Sequence, residues 1–278
     1  MLMNVAAYLH PERLLVCIWE MDESIPVIHA YKELDPSSDL SLAELGCEQM
    51  DLIVHSSDVR LHWFPADGSA ELQERYGFEG TAWFDTPGYS ALPAASCATI
   101  IYGPTPMHAS IQAREPVVER CQKLAQDASI HVDIDLDIQA ALECTQPRSM
   151  PWLVVGRRGT AWQASLIGTN HLPTASAVFW HDADYTNEAM LSLIHKTMQD
   201  RYDVCLDAVM VYGDNVTADQ IALMRETWLV DGVRIARSQP FARIRSVLDT
   251  QSGQRLLKRA HVVAPLAAIM LRCTTAHA

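Results

Sequence analysis

In the stretch "HVDIDLD", the residues His131, Asp133, Asp135 and Asp137 recur at every second position, and their types can hold a metal or move a proton. An extended strand would present all of them on one face. Same-face neighbours on a strand stand ~7 Å apart, so a divalent ion there could bridge only two of them without a second segment. The spacing predicts an exposed acidic strand face, with Asp137 capping the helix that follows. Such a face could dock a basic peptide along its edge. "HDAD" at 181–184 has the composition of a metal site, but between a strand and a helix Asp184 or Thr186 fits an N-cap better. Asp203 and Asp207 bracket Cys205 as loop polarity. Seven cysteines and eleven histidines show no spacing that singles out a Cys–His dyad. The serine-hydrolase elbow, zinc-protease and P-loop patterns do not occur in the sequence.

A different chemistry is suggested by "PWLVVGRRGTAWQASLIG", residues 151–168, which reads as strand, glycine turn and strand. Backbone N–H groups in such a turn can surround a phosphate. Gly156, Gly159 and Thr160 allow that close approach. Arg157 and Arg158 could reach a phosphate directly, although arginines on a turn are expected to be solvated.

These segments must be positioned by a chain of 278 residues, long enough for one large domain or two ordinary ones. Apolar residues make up 49% and charged residues 20%, a globular balance. The formal charge of −13 repels a phosphate backbone and argues against nucleic acid as a partner. The N-terminus lacks a basic segment leading into a long apolar run, so no signal peptide is expected. No run reaches the ~20 apolar residues of a membrane span. Odd-numbered, scattered cysteines without a CxxC pair predict buried thiols in a reduced, cytoplasmic protein.

Element order is legible from pattern. Residues 5–9, 14–21 and 25–31 read as three strands joined by two tight turns. A helix at 40–48, strands at 52–55 and 59–64, and a turn-rich stretch at 66–93 follow. Next come a strand at 97–102, a helix opening at Glu115-Pro116, a strand at 130–136 and a short helix at 138–144. The two prolines of "TQPRSMP" place a domain boundary there, dividing the chain into 1–145 and 146–278. The second part again opens with three strands, at 153–156, 160–167 and 172–179. It continues with a helix around Met190–Met198, a strand at 208–212, a helix opening at Thr217, and a strand at 232–236. A final helical region at 253–272 should kink or restart at Pro265.

This order resembles the actin-like ATPase superfamily, in which two similar lobes hold ATP in a cleft. "WLVVGRRGTAWQASLIGTNHLPTASAVFW" looks like its second phosphate hairpin and the following strand. "LDAVMVYGDNVTADQIALM" looks like the adenosine segment, and "RLLKRAHVVAPLAAIMLR" like the closing helix. Within the superfamily, the small actin-like proteins of type IV pilus and type II secretion inner-membrane platforms are most similar, with "RSQPFARIRSV" matching their segment before the closing helix. The resemblance implies an α/β fold of two actin-like (ribonuclease H-like) βββαβα lobes with mixed sheets.

It also implies where nucleotide chemistry would sit and what has been lost. ATP hydrolysis needs carboxylates to hold Mg²⁺ and its waters. The acid that begins the second hairpin in the superfamily is replaced by Val154 and Val155. The first hairpin, "YLHPERLL", has Pro11 and no glycine, so it offers no backbone wrap. Of the glycine pair in the adenosine segment only Gly213 remains, followed by Asp214. The expected remnant of the cleft is thus Gly156, Gly159, Thr160, Gly213 and Asp214, with no metal, no ATP and no catalytic residue. The expected partner is a protein, such as the short tail of a membrane-anchored protein lying in a groove of the N-terminal lobe. The chain itself would be cytoplasmic and peripheral to the inner membrane, with no membrane insertion, and homodimerisation is compatible with this. The competing reading is a divergent ATPase or small-molecule kinase of the same fold, which would recruit Asp133, Asp135 or Asp214 to hold its metal.

Overall fold

The computed structural model describes residues 3–40, 47, 49–65, 88–92, 100–102, 105–125, 129–144, 152–159, 161–167, 173–180, 208–213, 216, 218–227 and 234–275. Residues 41–46 and 48 of the proposed helix at 40–48, all of that at 190–198, the "HDAD" segment, Cys205, and most of 66–93 lie outside these.

Three strands open the chain: β1 (Asn4–His10), β2 (Arg13–Asp22) and β3 (Ile25–Leu34). They pair antiparallel in sequence order, and β4 (Gln49–Val54) then lies parallel to β1. β1 is central and buried on both faces. Val5, Ala7 and Leu9 point into one core, while Ala6 and Tyr8 point into the other, which explains its near-continuous apolar run.

The β2–β3 turn is a two-residue loop, because Asp22 pairs with Ile25. The type I′ form of such a loop has positive φ at both central residues, and Glu23 and Ser24 adopt φ 46° and 68°. Neither is glycine, so the turn carries local strain. Left-handed backbone costs an L-residue about 1–2 kcal/mol, and glycine's extra unfolded-state freedom returns about 0.5–1 of that. Ser24→Gly should therefore raise stability by about 0.5–1 kcal/mol, read as a higher urea midpoint at unchanged slope. An unchanged or lower midpoint would contradict the strain.

After a 3₁₀ turn at Ser56–Asp58, the chain builds a separate small sheet from β5 (Val59–Pro65), β6 (Tyr89–Ala91), β7 (Ile100–Tyr102) and β8 (Thr105–Arg114), all paired to β8. The expected strand at 59–64 and, within the described residues, the 100–102 part of the one expected at 97–102 exist, but they belong to this inserted sheet. Helix α1 (Glu115–Ala125) returns to the first lobe and buries Val118, Cys121 and Leu124. Burial pushes the Cys121 thiol up to about 12, and Cys17, fully enclosed, is likewise raised. β9 (Ser129–Ile134) then joins parallel to β4.

Helix α2 (Asp135–Cys144) follows without a gap. Here the structure corrects the acidic-strand reading. The strand ends at Ile134, Asp135 opens the helix, and Asp137 lies inside it. Only His131 and Asp133 keep the strand periodicity. The strand stops because the Asp135 carboxylate accepts the amides of Leu136 and Ser56, which turns the backbone into the helix.

The second large sheet repeats the wiring of the first. β10 (Trp152–Arg158), β11 (Ala161–Ile167) and β12 (Pro173–Trp180) pair antiparallel; β13 (Ala208–Gly213) is parallel to β10, and β14 (Arg234–Arg237) is parallel to β13. Helix α3 (Ala218–Thr227) packs on β14. The fold is a mixed α/β structure in which two large sheets share one wiring.

The last segment returns to the first sheet. β15 (Arg245–Ser246) pairs with β3, helix α4 (Thr250–Lys258) follows, and α5 (Ala260–Thr275) covers the face of β1. The helical break falls at Arg259, and α5 runs on through Pro265 without restarting there. The reason lies in the cleft.

Candidate functional site

The two lobes meet where β1, the Ser56–Asp58 turn and the start of α2 face the β10–β11 hairpin and the end of β13. At the centre is Asp135, fully buried. Its Oδ2 accepts the Tyr8 hydroxyl at 2.5 Å. Its Oδ1 accepts the Ser56 amide at 3.0 Å, the Leu136 amide at 2.7 Å and the Ser56 hydroxyl. From the other lobe, the Arg158 guanidinium approaches Oδ2 to 3.6 Å. Donors surround both carboxylate oxygens, so Asp135 anchors the joint between the lobes.

Arg158 is also fully buried, so the expectation of a solvated turn arginine fails for it. Its guanidinium donates to the Gln139 side chain on α2 and to the His261 carbonyl at 2.9 Å on α5. The second contact explains the continuous helix. Pro265 has no N–H to give the carbonyl four residues earlier, and that carbonyl belongs to His261. Arg158 supplies the missing donor, and α5 continues. Arg157 behaves more as expected: it is half-buried, donates to the Gly159 carbonyl at 3.3 Å and lies 5.2 Å from the Trp162 ring centroid.

The sequence-derived cleft glycines are each pressed against protein. A Cβ on Gly156 would stand 2.2 Å from Cζ of Tyr212, the residue beside it on β13. The Tyr212 hydroxyl in turn donates to the Leu136 carbonyl at 2.9 Å. Gly213 has φ +115°, and a Cβ there would stand 1.8 Å from the Arg157 carbonyl oxygen. Gly159, at φ +53°, turns the hairpin against Ser57 and His55 of the first lobe, where a Cβ would meet the Ser57 hydroxyl at 3.0 Å. Thr160 and Asp214 lie outside the described residues.

On the first-lobe side, Tyr8, His10 and His55 form a ring cluster with centroids 5.0–6.1 Å apart, and His55 Nδ1 sits 2.5 Å from the Ser57 hydroxyl. The remaining strand acids are tied elsewhere. Arg272 of α5 donates to Asp133 at 3.0 Å and to Asp51 at 3.5 Å. Burial raises Asp51 above the usual carboxylate range; Arg272 opposes that shift and Asp133 adds to it. Among the described residues no group of three or more His, Cys, Asp and Glu side chains is arranged to hold a metal.

Sequence reasoning missed Tyr8, Ser56 and Gln139, and gave Asp135 and Arg158 the wrong surroundings. One signal was available: Ile138 and Leu142, both buried in one core, stand four residues apart on one helical face just after Asp135.

No family model matches the sequence, and no curated protein matches it. Solved structures do. A structure of the PilM–PilN type IV pilus biogenesis complex matches with TM-score 0.60 at 12% identity, covering 97% of this chain and 98% of that one. A Bacteroides thetaiotaomicron protein of actin-like ATPase fold and unknown function matches with TM-score 0.53 at 10% identity, covering 92% and 95%. Over nearly its whole length, this chain has the actin-like ATPase fold.

Proposed function

We propose that the chain is a non-catalytic actin-like scaffold that binds a protein partner. Its lobes would be 1–145 and 146–278, with residues 245–275 closing the first. The observation that carries this reading is the Arg158–Asp135 pair, enclosed together with Tyr8, Ser56 and Gln139 at the joint between the lobes. In this fold an ATPase needs that joint for phosphates, magnesium and water. Here the acid is saturated by protein donors, and Tyr212 takes the space beside Gly156. The whole-chain likeness to a protein solved in a pilus biogenesis complex supports a partner-binding role. The partner we propose is a membrane-anchored protein with a short cytoplasmic tail, which would hold the scaffold at the inner membrane. Among the described residues no helix is long and apolar enough to cross a membrane.

Hydrogen exchange with and without Mg–ATP tests the cleft directly, because it localises any response. The expected result is unchanged protection across 152–167 and 208–216, with no phosphate release. Magnesium-dependent protection confined to those segments would overturn the reading and favour a divergent ATPase.

A further inference from the structure

A second concave surface shares no lining residue with the cleft. β15 covers β3 only at Val27 and Ile28. Further along β3, the sheet edge and the end of α4 enclose an open cavity of about 570 Å³. Arg13 and Lys32 line it from the strands, and Arg255, Lys258 and Arg259 from the helix end. Glu33 is the acid among its lining residues, and it is already engaged by Arg13 at 3.1 Å, Arg259 at 3.7 Å and the Tyr31 hydroxyl at 3.0 Å. Five cations against one acid is a concentrated reversal of sign in a chain of net charge −13.

Basic residues in the last turn of a helix offset its dipole, which accounts for Arg255 and Lys258. It does not account for Arg13, which reaches the same space from β2, or for Lys32, which lines it at the edge of β3. The volume falls within the range of small-ligand sites. Leu257, 65% exposed, stands on α4 between Arg255 and Lys258.

We infer that this cavity binds the phosphate group of an anionic ligand, through Arg255 and Lys258 with Arg13 and Lys32 opposite. The inference is independent of the protein-scaffold reading. Two sources share this chemistry, a soluble phosphate compound and a phospholipid headgroup, and two probes separate them. Pyrophosphate is titrated by calorimetry, and vesicles of phosphatidylglycerol, against phosphatidylcholine, are tested by co-sedimentation.

Arg255 and Lys258 are exposed, so Arg255→Glu/Lys258→Glu should fold normally. Arg225→Glu/Arg237→Glu makes the same change of charge at exposed positions of the other lobe. Binding to at least one probe is expected. The first variant should weaken it roughly a hundredfold, two charge-assisted contacts at about tenfold each, while the second leaves it unchanged. A vesicle response alone identifies a headgroup, and a pyrophosphate response identifies a soluble phosphate. Binding to neither probe, equal losses in both variants, or binding only to a polyglutamate peptide would overturn the inference.

Discussion

Arg158→Ala should lower folding stability by about 3–5 kcal/mol, the usual penalty for removing one member of a buried ion pair. Three groups lose this contact together. Asp135 loses the guanidinium facing its Oδ2 at zero exposure, Gln139 loses its donor, and the His261 carbonyl loses the donor that stands in for the missing Pro265 N–H. Arg157→Ala, one residue earlier, is the control. That side chain is half-buried over Trp162, a contact worth about 0.5–1 kcal/mol. Urea denaturation of the two variants side by side checks the contrast, and equal losses would mean that Arg158 is only a turn residue. A second measurement separates charge from shape. Adding Asp135→Asn to Arg158→Met removes both charges, so the pair should be less damaging than the sum of the single changes.

Gly156→Ala should cost about 2–4 kcal/mol, combining overpacking with a lost buried hydrogen bond. The new methyl would overlap the Tyr212 ring at Cζ, Cε2 and Oη, at 2.2, 2.4 and 2.6 Å. The ring cannot simply swing away, since Tyr212 is 2% exposed and its hydroxyl is held by the Leu136 carbonyl. Tyr212→Ala opens a cavity and is damaging in its own right. In the double variant, however, the alanine at 156 has room. Its stability should match that of Tyr212→Ala alone, a strongly non-additive result. Additive losses would show that Gly156 is needed for some other reason, such as backbone geometry.

Much of the architecture was readable because it is local. The β1–β2–β3 and β10–β11–β12 meanders pair neighbours in sequence, and their apolar runs and tight turns mark them. The inserted sheet was not readable as a unit, because β5 and β8 pair across a long turn-rich stretch. Asp135 was misplaced for a specific reason. Acids at every second position imitate a solvated strand face, and a charged residue is rarely expected to be wholly buried. The register of acids at 131–137 gave no warning that Tyr8 and Ser56, 127 and 79 residues away, would claim one of them. Arg158 and Pro265 mislead in the same manner. Each breaks a local rule, one as a buried turn arginine and the other as a mid-helix proline. The contact that reconciles them spans 103 residues. The glycines at 156, 159 and 213 are visible in the sequence by type, but what fills the space beside them lies on other segments.

Residues 245–275 supply a strand and the cover helix for the sheet that β1 begins. On a ribosome adding about 5–20 residues per second, roughly 12–50 s separate the emergence of β3 from that of α5. Through that interval Tyr8, Leu15 and Ile28 have no Leu266 or Ile269 to lie against. The nascent first lobe must wait, partly bare, for the end of its own chain.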